Sequence, residues 1–199
     1  MQAPDPLEPV LKALTVEAGA SSDFDLNPIK PAQPRKLRAA GVLVPFMVEN
    51  GRAEIILTKR ASGLQHHPGQ IAFPGDKHEE SDASVEAAAL REAHEEIGLD
   101  PANVAILGTM PVHETVTGFR VTPVLGRVLS PFDARPEPSE VDEVFRVPLA
   151  HVAEPARYTV QSRIWLGQRR YYYAAPFGPY YIWGATARIL RGLAERMTT

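Results

Sequence analysis

Glu92, Glu95 and Glu96 stand within one short stretch, with Arg91 directly before them. Stepping about 100° per residue from Leu90 puts the three carboxylates roughly 140–240° away, opposite the stripe of Leu90, Ala93 and Ile97. Like charges at i, i+3 and i, i+4 repel by a few tenths of a kcal/mol per pair, and the macrodipole disfavours anions toward a helix C-terminus. Such a face calls for compensation. A hard divalent cation supplies it, because Mg²⁺ or Mn²⁺ takes oxygen ligands and is held by a few carboxylates plus water and substrate phosphates. The plain alternative is a solvated acidic face with Arg91 paired to Glu95 one turn on. What precedes the helix favours the metal: Phe73-Pro74-Gly75 stops a short strand, so backbone carbonyls can face the same carboxylates.

The elements that must position these groups read as follows. Asp82-Ala83-Ser84 offers N-cap side chains, Val85 to Ile97 is rich in helix formers, and Gly98 sits at a C-cap position. Upstream, Ala39 to Val48 and Ala53 to Arg60 are strands joined across Asn50-Gly51, a hairpin signal, and Gln70 to Phe73 is a short strand. Downstream, Val104 to Leu107, Val112 to Val116, Phe119 to Val128 and Val141 to Val147 read as strands, and the proline-rich Ser130 to Ser139 as a loop. The aromatic-rich Ile164 to Trp183 reads as two strands around Phe177-Gly178-Pro179. A last helix, Ala185 to Met197, puts Thr186, Leu190, Leu193 and Met197 on one stripe. Residues 1–38, with a short helix in Pro9 to Ala18 and a polar, proline-broken stretch behind it, read as an appendage packed on a domain spanning 39–199.

Composition narrows the chemistry. The 199 residues are 44% hydrophobic and 23% charged, as in an ordinary single globular domain. The formal net charge of −3 offers no basic field for nucleic acid or anionic membrane. Cysteine is absent, which excludes disulfides, zinc-thiolate sites and thiol nucleophiles and fits a reducing compartment. With no basic-then-apolar start and no long apolar run, a cytoplasmic protein is expected. None of the six His falls in a zinc-helix motif, and no phosphate-loop, dinucleotide or serine-elbow pattern is present. The oligomeric state stays open, a homodimer being the commonest homo-oligomer.

The stretch Arg91-Glu92-Ala93-His94-Glu95-Glu96-Ile97-Gly98-Leu99 resembles the C-terminal half of the Nudix hydrolase box. The upstream half departs from it. The box's first glycine corresponds to Asp76, its first glutamate to Asp82, and the spacing from Asp82 to Arg91 is one residue longer than in the family pattern. That spacing, with the acidic pair Glu79 and Asp82, is similar to the coenzyme A pyrophosphatase branch. So are Leu57-Thr58-Lys59-Arg60, Leu64, His67, Gly69-Gln70, Phe73-Pro74-Gly75 and the tail from Tyr180 to Leu190. Ala61 and Gln65 depart from that branch's usual Ser and Arg.

The resemblance implies an α/β (α+β) Nudix fold, a mixed β-sheet sandwiched between α-helices. It also implies metal-dependent cleavage of the diphosphate of coenzyme A or its thioesters, giving 3′,5′-adenosine bisphosphate and 4′-phosphopantetheine or its acyl form. Gly75 (through its carbonyl), Glu92, Glu95 and Glu96 would hold Mg²⁺ or Mn²⁺. Glu92 or Glu95 would serve catalysis, and Arg91 would orient the carboxylates by bidentate pairing. Acids after the box, such as Glu114, Glu140 or Glu143, are alternative bases, and ordinary surface charges otherwise. Lys59, Arg60, His67 and Asp82 are the candidate substrate contacts. Tyr171, Tyr172, Tyr173, Phe177, Tyr180 and Tyr181 would stack an adenine or, as alternating strand residues more often do, fill a core. Asp76, at a glycine position of a tight loop, is expected to adopt positive φ and to place an extra carboxylate near the metal. Two rival readings follow: cleavage of another nucleoside diphosphate derivative, such as a dinucleotide or sugar nucleotide, or a binding module weakened in catalysis by Asp76.

Overall fold

The computed structural model describes residues 4–27 and 35–199. Of the proline-broken stretch before Arg38, residues 28–34 thus lie outside the described residues. The elements run α1 (Glu8–Thr15), β1 (Ser21–Ser22), β2 (Arg38–Glu49), β3 (Arg52–Arg60), β4 (Ile71–Ala72), β5 (Gly75–Lys77) and α2 (Val85–Ile97). There follow β6 (Val104–Thr109), β7 (His113–Glu114), β8 (Phe119–Val128), β9 (Val141–Pro148), α3 (Leu149–Val152), β10 (Thr159–Trp165), β11 (Gln168–Ala174) and α4 (Gly184–Met197).

The long strands alternate, and the alternation sorts the core into two layers. Leu43 and Met47 of β2, Ile56 of β3 and Val124 and Val128 of β8 face Ala89, Ala93 and Ile97 of α2. Their neighbours Val44, Phe46, Ile55, Leu57 and Leu125 face the other way, onto Leu7, Val10 and Ala13 of the α1 region and Leu190 and Leu193 of α4. A sheet with helices on both faces is the consequence. It is mixed: β2 pairs parallel with β8 and antiparallel with β3, while β9 and β4 extend from β3, and β6 and β7 pair with β8. Asn50 and Gly51, both at positive φ, close the expected β2–β3 hairpin.

The N-terminal segment is stitched to the sheet edge. β1 pairs parallel with β7, and the fully buried His113 ring lies with Nδ1 2.9 Å from Ser21 Oγ and Nε2 3.1 Å from Asp23 Oδ1. Asp5 pairs with Arg127 of β8. Among the described residues no helix is long and apolar enough to cross a membrane.

The C-terminal strands differ from expectation. The hairpin turns at Leu166 and Gly167, both at positive φ, so the antiparallel ribbon is β10–β11 rather than two strands around Phe177. Leucine at positive φ carries no turn signal in sequence, whereas Phe177-Gly178-Pro179 does. The latter turn closes only a small loop, with mutual hydrogen bonds between Phe177 and Tyr180. Tyr173, Phe177 and Tyr180 pack against the core, while Tyr171 and Tyr181 stay exposed.

Candidate active site

Helix α2 forms as its sequence dictates. Ser84 Oγ accepts from the Ala87 amide at the N-terminus, and Gly98, in the left-handed conformation, closes the C-terminus. Its acidic face is solvated only at Glu95, however. Ala88, Ala89, Glu92, Ala93, Glu96 and Ile97 are all buried, because two segments close over the helix besides the long strands. One is β5, which pairs with β2 so that Gly75 lies opposite Val42. The other is the loop before β9: the Arg135 amide donates to the Ile97 carbonyl (2.9 Å) and the Glu137 amide to the Glu96 carbonyl (2.8 Å). That loop caps the helix end and delivers Glu140, whose carbonyl also accepts from the Ala61 amide.

The result is a compact carboxylate cluster. Oxygen atoms of Glu92, Glu96 and Glu140 lie within 4.8 Å of one another, Glu92 and Glu96 buried and Glu140 exposed. The Gly75 amide faces Glu96 Oε1 at 3.4 Å. Burial pushes the Glu96 carboxyl up to about 8, with Glu92 and Glu140 adding to the rise against the Gly75 amide and Arg60. Glu92 is raised as well, chiefly by burial, with Arg91 opposing and Asp76 and Glu95 adding. Buried carboxylates crowded together this way prefer a proton or a cation. An all-oxygen donor set is the chemistry of a hard divalent ion, so the residues present fit one.

Arg91 fixes the rest. Its guanidinium grips Asp82 bidentately (Nε to Oδ1 2.9 Å, Nη2 to Oδ2 3.0 Å), and Nη1 donates to Glu92 Oε1 (2.8 Å) and Glu95 Oε2 (2.9 Å). Asp82 is held down to about 2, mainly by Arg91 and then by the Glu79 amide. Of the candidates read from sequence, Glu92 and Glu96 come together beside Gly75, whereas Glu95 lies outside that cluster, half-exposed and engaged by Arg91. Asp82, a candidate substrate contact, pairs with Arg91. Glu140 has no motif position. It was visible only as one of three acids beyond the box, and the cap by the 130–140 loop is what selects it. Replacing Arg91 by Lys keeps the charge and loses the fork, so we expect kcat/KM to fall about 10–100-fold with the fold retained, measured by steady-state rates and circular dichroism.

Asp76 departs from expectation. It lies in β5, exposed and outside the positive-φ residues, because β5 is extended where it pairs with β2. The strained position is its neighbour Gly75, at φ 141°. The expected extra charge is present all the same, since Asp76 raises Glu92.

Beside the cluster opens a cleft of about 450 Å³ lined by Lys59, His67, Gln70, Arg163, Tyr181 and Trp183, among others. Arg60 follows Lys59 on β3, and its charge favours the ionised Glu96 carboxyl and disfavours a protonated His67. The predicted contacts Lys59 and His67 therefore share one cleft next to the acids, a size and lining suited to a small ligand.

Helices thus cover both faces of a mixed sheet, and Glu92 and Glu96 of α2 meet Glu140 of the loop before β9 on the side where Lys59, His67 and Arg163 line a cleft. Residues 37–168 match the NUDIX domain family. The chain is 42% identical over 160 residues to the uncharacterised Nudix hydrolase NudL of Enterobacter sp. (strain 638), covering 79% of this chain and 81% of that one. It resembles the MutT/nudix family protein of Enterococcus faecalis (TM-score 0.53, 15% identity, 85% of this chain and 65% of that one). It also resembles the MutT protein of Methanosarcina mazei Go1 (TM-score 0.51, 18% identity, 84% and 96%). The chain belongs to the Nudix family. It is a Nudix hydrolase, acting on phosphoric anhydrides of nucleoside diphosphate derivatives; such hydrolases typically use divalent metal ions, and the acid cluster offers donors for one.

Proposed function

We propose that the protein is a cytoplasmic pyrophosphohydrolase of coenzyme A or its thioesters, working with Mg²⁺ or Mn²⁺. Water is added across the diphosphate, releasing 3′,5′-adenosine bisphosphate and 4′-phosphopantetheine or its acyl form. The observation that carries this reading is the placement of the Glu92–Glu96–Glu140 cluster against a cleft whose walls are basic and aromatic. A substrate that is both polyanionic and adenine-bearing suits those walls. The branch signature from Leu57 to Gly75 supports it, since Lys59 and His67 of that signature line this cleft and Arg60 follows Lys59 on β3.

Glu92, Glu96 and Glu140 would hold the ion, with the Gly75 carbonyl and Glu95 as further donors. When bound, the ion neutralises phosphate oxygens and acidifies water near neutral pH. Arg91 occupies Glu92 Oε1 and leaves Oε2 to hold the ion or take the proton of the attacking water. Lys59 and Arg60 bind the diphosphate oxygens, and Tyr181 and Trp183 offer ring faces. The test incubates the protein with coenzyme A and a panel of dinucleotides and sugar nucleotides, with either metal or with chelator, and resolves products by chromatography. Adenosine bisphosphate and phosphopantetheine formed only with metal is the expected result. Metal-dependent cleavage confined to another member of the panel overturns the substrate.

The proximity of Asp76 to Glu92 favours a second, narrower reading, a site slowed by one surplus negative charge. Asp76→Asn keeps the strand and removes the charge, and should raise kcat/KM several-fold. Asp76→Gly should also raise it, and an unchanged or lower rate in both variants contradicts the reading.

A further inference from the structure

The cleft gathers more positive charge than a diphosphate beside a metal ion needs. Lys59 and His67 form one side, and Arg163 projects into it from β10. Among the described residues, none of these three side chains, nor that of Arg60, has a hydrogen-bonding or ion-pair partner, and Arg60 Nε is buried without one. The acid in the lining, Glu143, already accepts a hydrogen bond from the Tyr180 hydroxyl. Lys59 and Arg163, with Arg60 next to Lys59 on β3, thus set cationic donors around a cleft whose lining holds one carboxylate. His67 registers the crowding, lowered by burial and then by the nearby Arg60, His66 and Arg163. It is also held at φ 56°, a conformation rare for a non-glycine residue and characteristic of functional loops.

Arg163 is placed for planar recognition. Its guanidinium carbon lies 4.3 Å from the centroid of the Trp183 ring, and Trp183 is braced at 4.9 Å by the edge of Tyr172. A guanidinium laid on an indole keeps its N–H groups in its own plane, pointing outward in the fork geometry that matches a phosphate. Lys59 and Arg60 are neighbours on the strand that passes the acid cluster, whereas Arg163 comes from the ribbon beyond it. The two sets therefore suit two anionic groups of one ligand.

We propose that Arg163, supported by His67, binds a phosphomonoester on the nucleoside part of the substrate. The site would thereby select nucleoside diphosphate derivatives that carry a ribose phosphate over those that lack it. A phosphomonoester brings a charge of about −1.5 to −2 and three acceptor oxygens, enough to satisfy the unpartnered donors. This assignment rests on the coenzyme A reading and adds a specificity residue to it. Arg163 is exposed on a two-stranded ribbon, so its replacement should leave the fold intact.

The experiment compares kcat/KM for coenzyme A and 3′-dephospho-coenzyme A in the wild type and in Arg163→Gln. It also measures, by calorimetry without turnover, the affinities for 3′,5′-adenosine bisphosphate and AMP. The wild type should prefer the phosphorylated member of each pair by tenfold or more. Arg163→Gln should reduce that preference to about threefold or less, by raising KM for coenzyme A severalfold more than KM for the dephospho compound. If the wild type treats both compounds alike, or the variant keeps the preference, or it loses both substrates equally, the Arg163 assignment is overturned and the coenzyme A reading stands. Wild-type protein that cleaves neither compound overturns both.

Discussion

Glu96→Gln protein is expected to turn over substrate about 10³-fold more slowly than the wild type, yet to melt at a higher temperature in chelator at pH 8. The rate loss follows from removing one buried charge of the metal cluster, since ~4 kcal/mol of transition-state stabilisation corresponds to roughly that factor. The gain in stability has the same origin. Glu96 is raised to about 8 in the folded protein, so the metal-free fold keeps a proton that the unfolded chain has already released. Folding then takes up a proton between about pH 4.5 and 8, and the metal-free wild type should lose stability steadily as pH rises through that window, by on the order of a few kcal/mol. Glutamine carries no charge there, so the variant should lose most of that slope. Thermal melts at half-unit intervals of pH, in chelator and then with Mg²⁺, read this out. A wild type with flat stability across the window, or a variant with the same slope, contradicts it.

Gly75→Ala should cost about 3 kcal/mol or more of folding stability. At φ 141° the position is open to glycine and strained for any other residue. An added Cβ would stand 2.4 Å from the Gly41 carbonyl oxygen and 2.6 Å from Val42 Cα, backbone atoms of the central strand that cannot rotate away. The strand β5 would have to separate from β2, withdrawing the amide that faces Glu96 Oε1. Activity should therefore fall with stability. Urea unfolding monitored by tryptophan fluorescence measures the loss, and an unchanged midpoint contradicts the account of this loop.

The long elements were legible because their signals are local. The helix from Val85 to Ile97 carries its own caps at Ser84 and Gly98, and β2 and β3 carry their alternation and the Asn50-Gly51 turn. Most of the site was legible for the same reason, Arg91, Glu92 and Glu96 being neighbours on that helix. What the sequence concealed was set by distant packing. Periodicity alone puts Glu92 and Glu96 opposite the apolar stripe and says nothing of their burial, which comes from β5 and the 130–140 loop closing over them. Glu140 enters the cluster through that closure and Asp82 is drawn to Arg91, neither of which a spacing rule can express. Asp76 was expected to carry the backbone strain, but the register of β5 against β2 transfers it to Gly75. The ribbon turn at Leu166 was hidden by a residue type that rarely takes positive φ.

The most direct measurement is the affinity for Mn²⁺ of the metal-free protein, wild type against Glu140→Gln, followed by paramagnetic resonance of the free ion. Glu140 is exposed, so the variant should fold normally. If Glu92, Glu96 and Glu140 hold the ion together, Glu140→Gln weakens binding tenfold or more and lowers turnover in parallel at subsaturating metal. Equal affinity in the two proteins would show that the ion is held elsewhere on the helix, and would contradict the three-carboxylate centre.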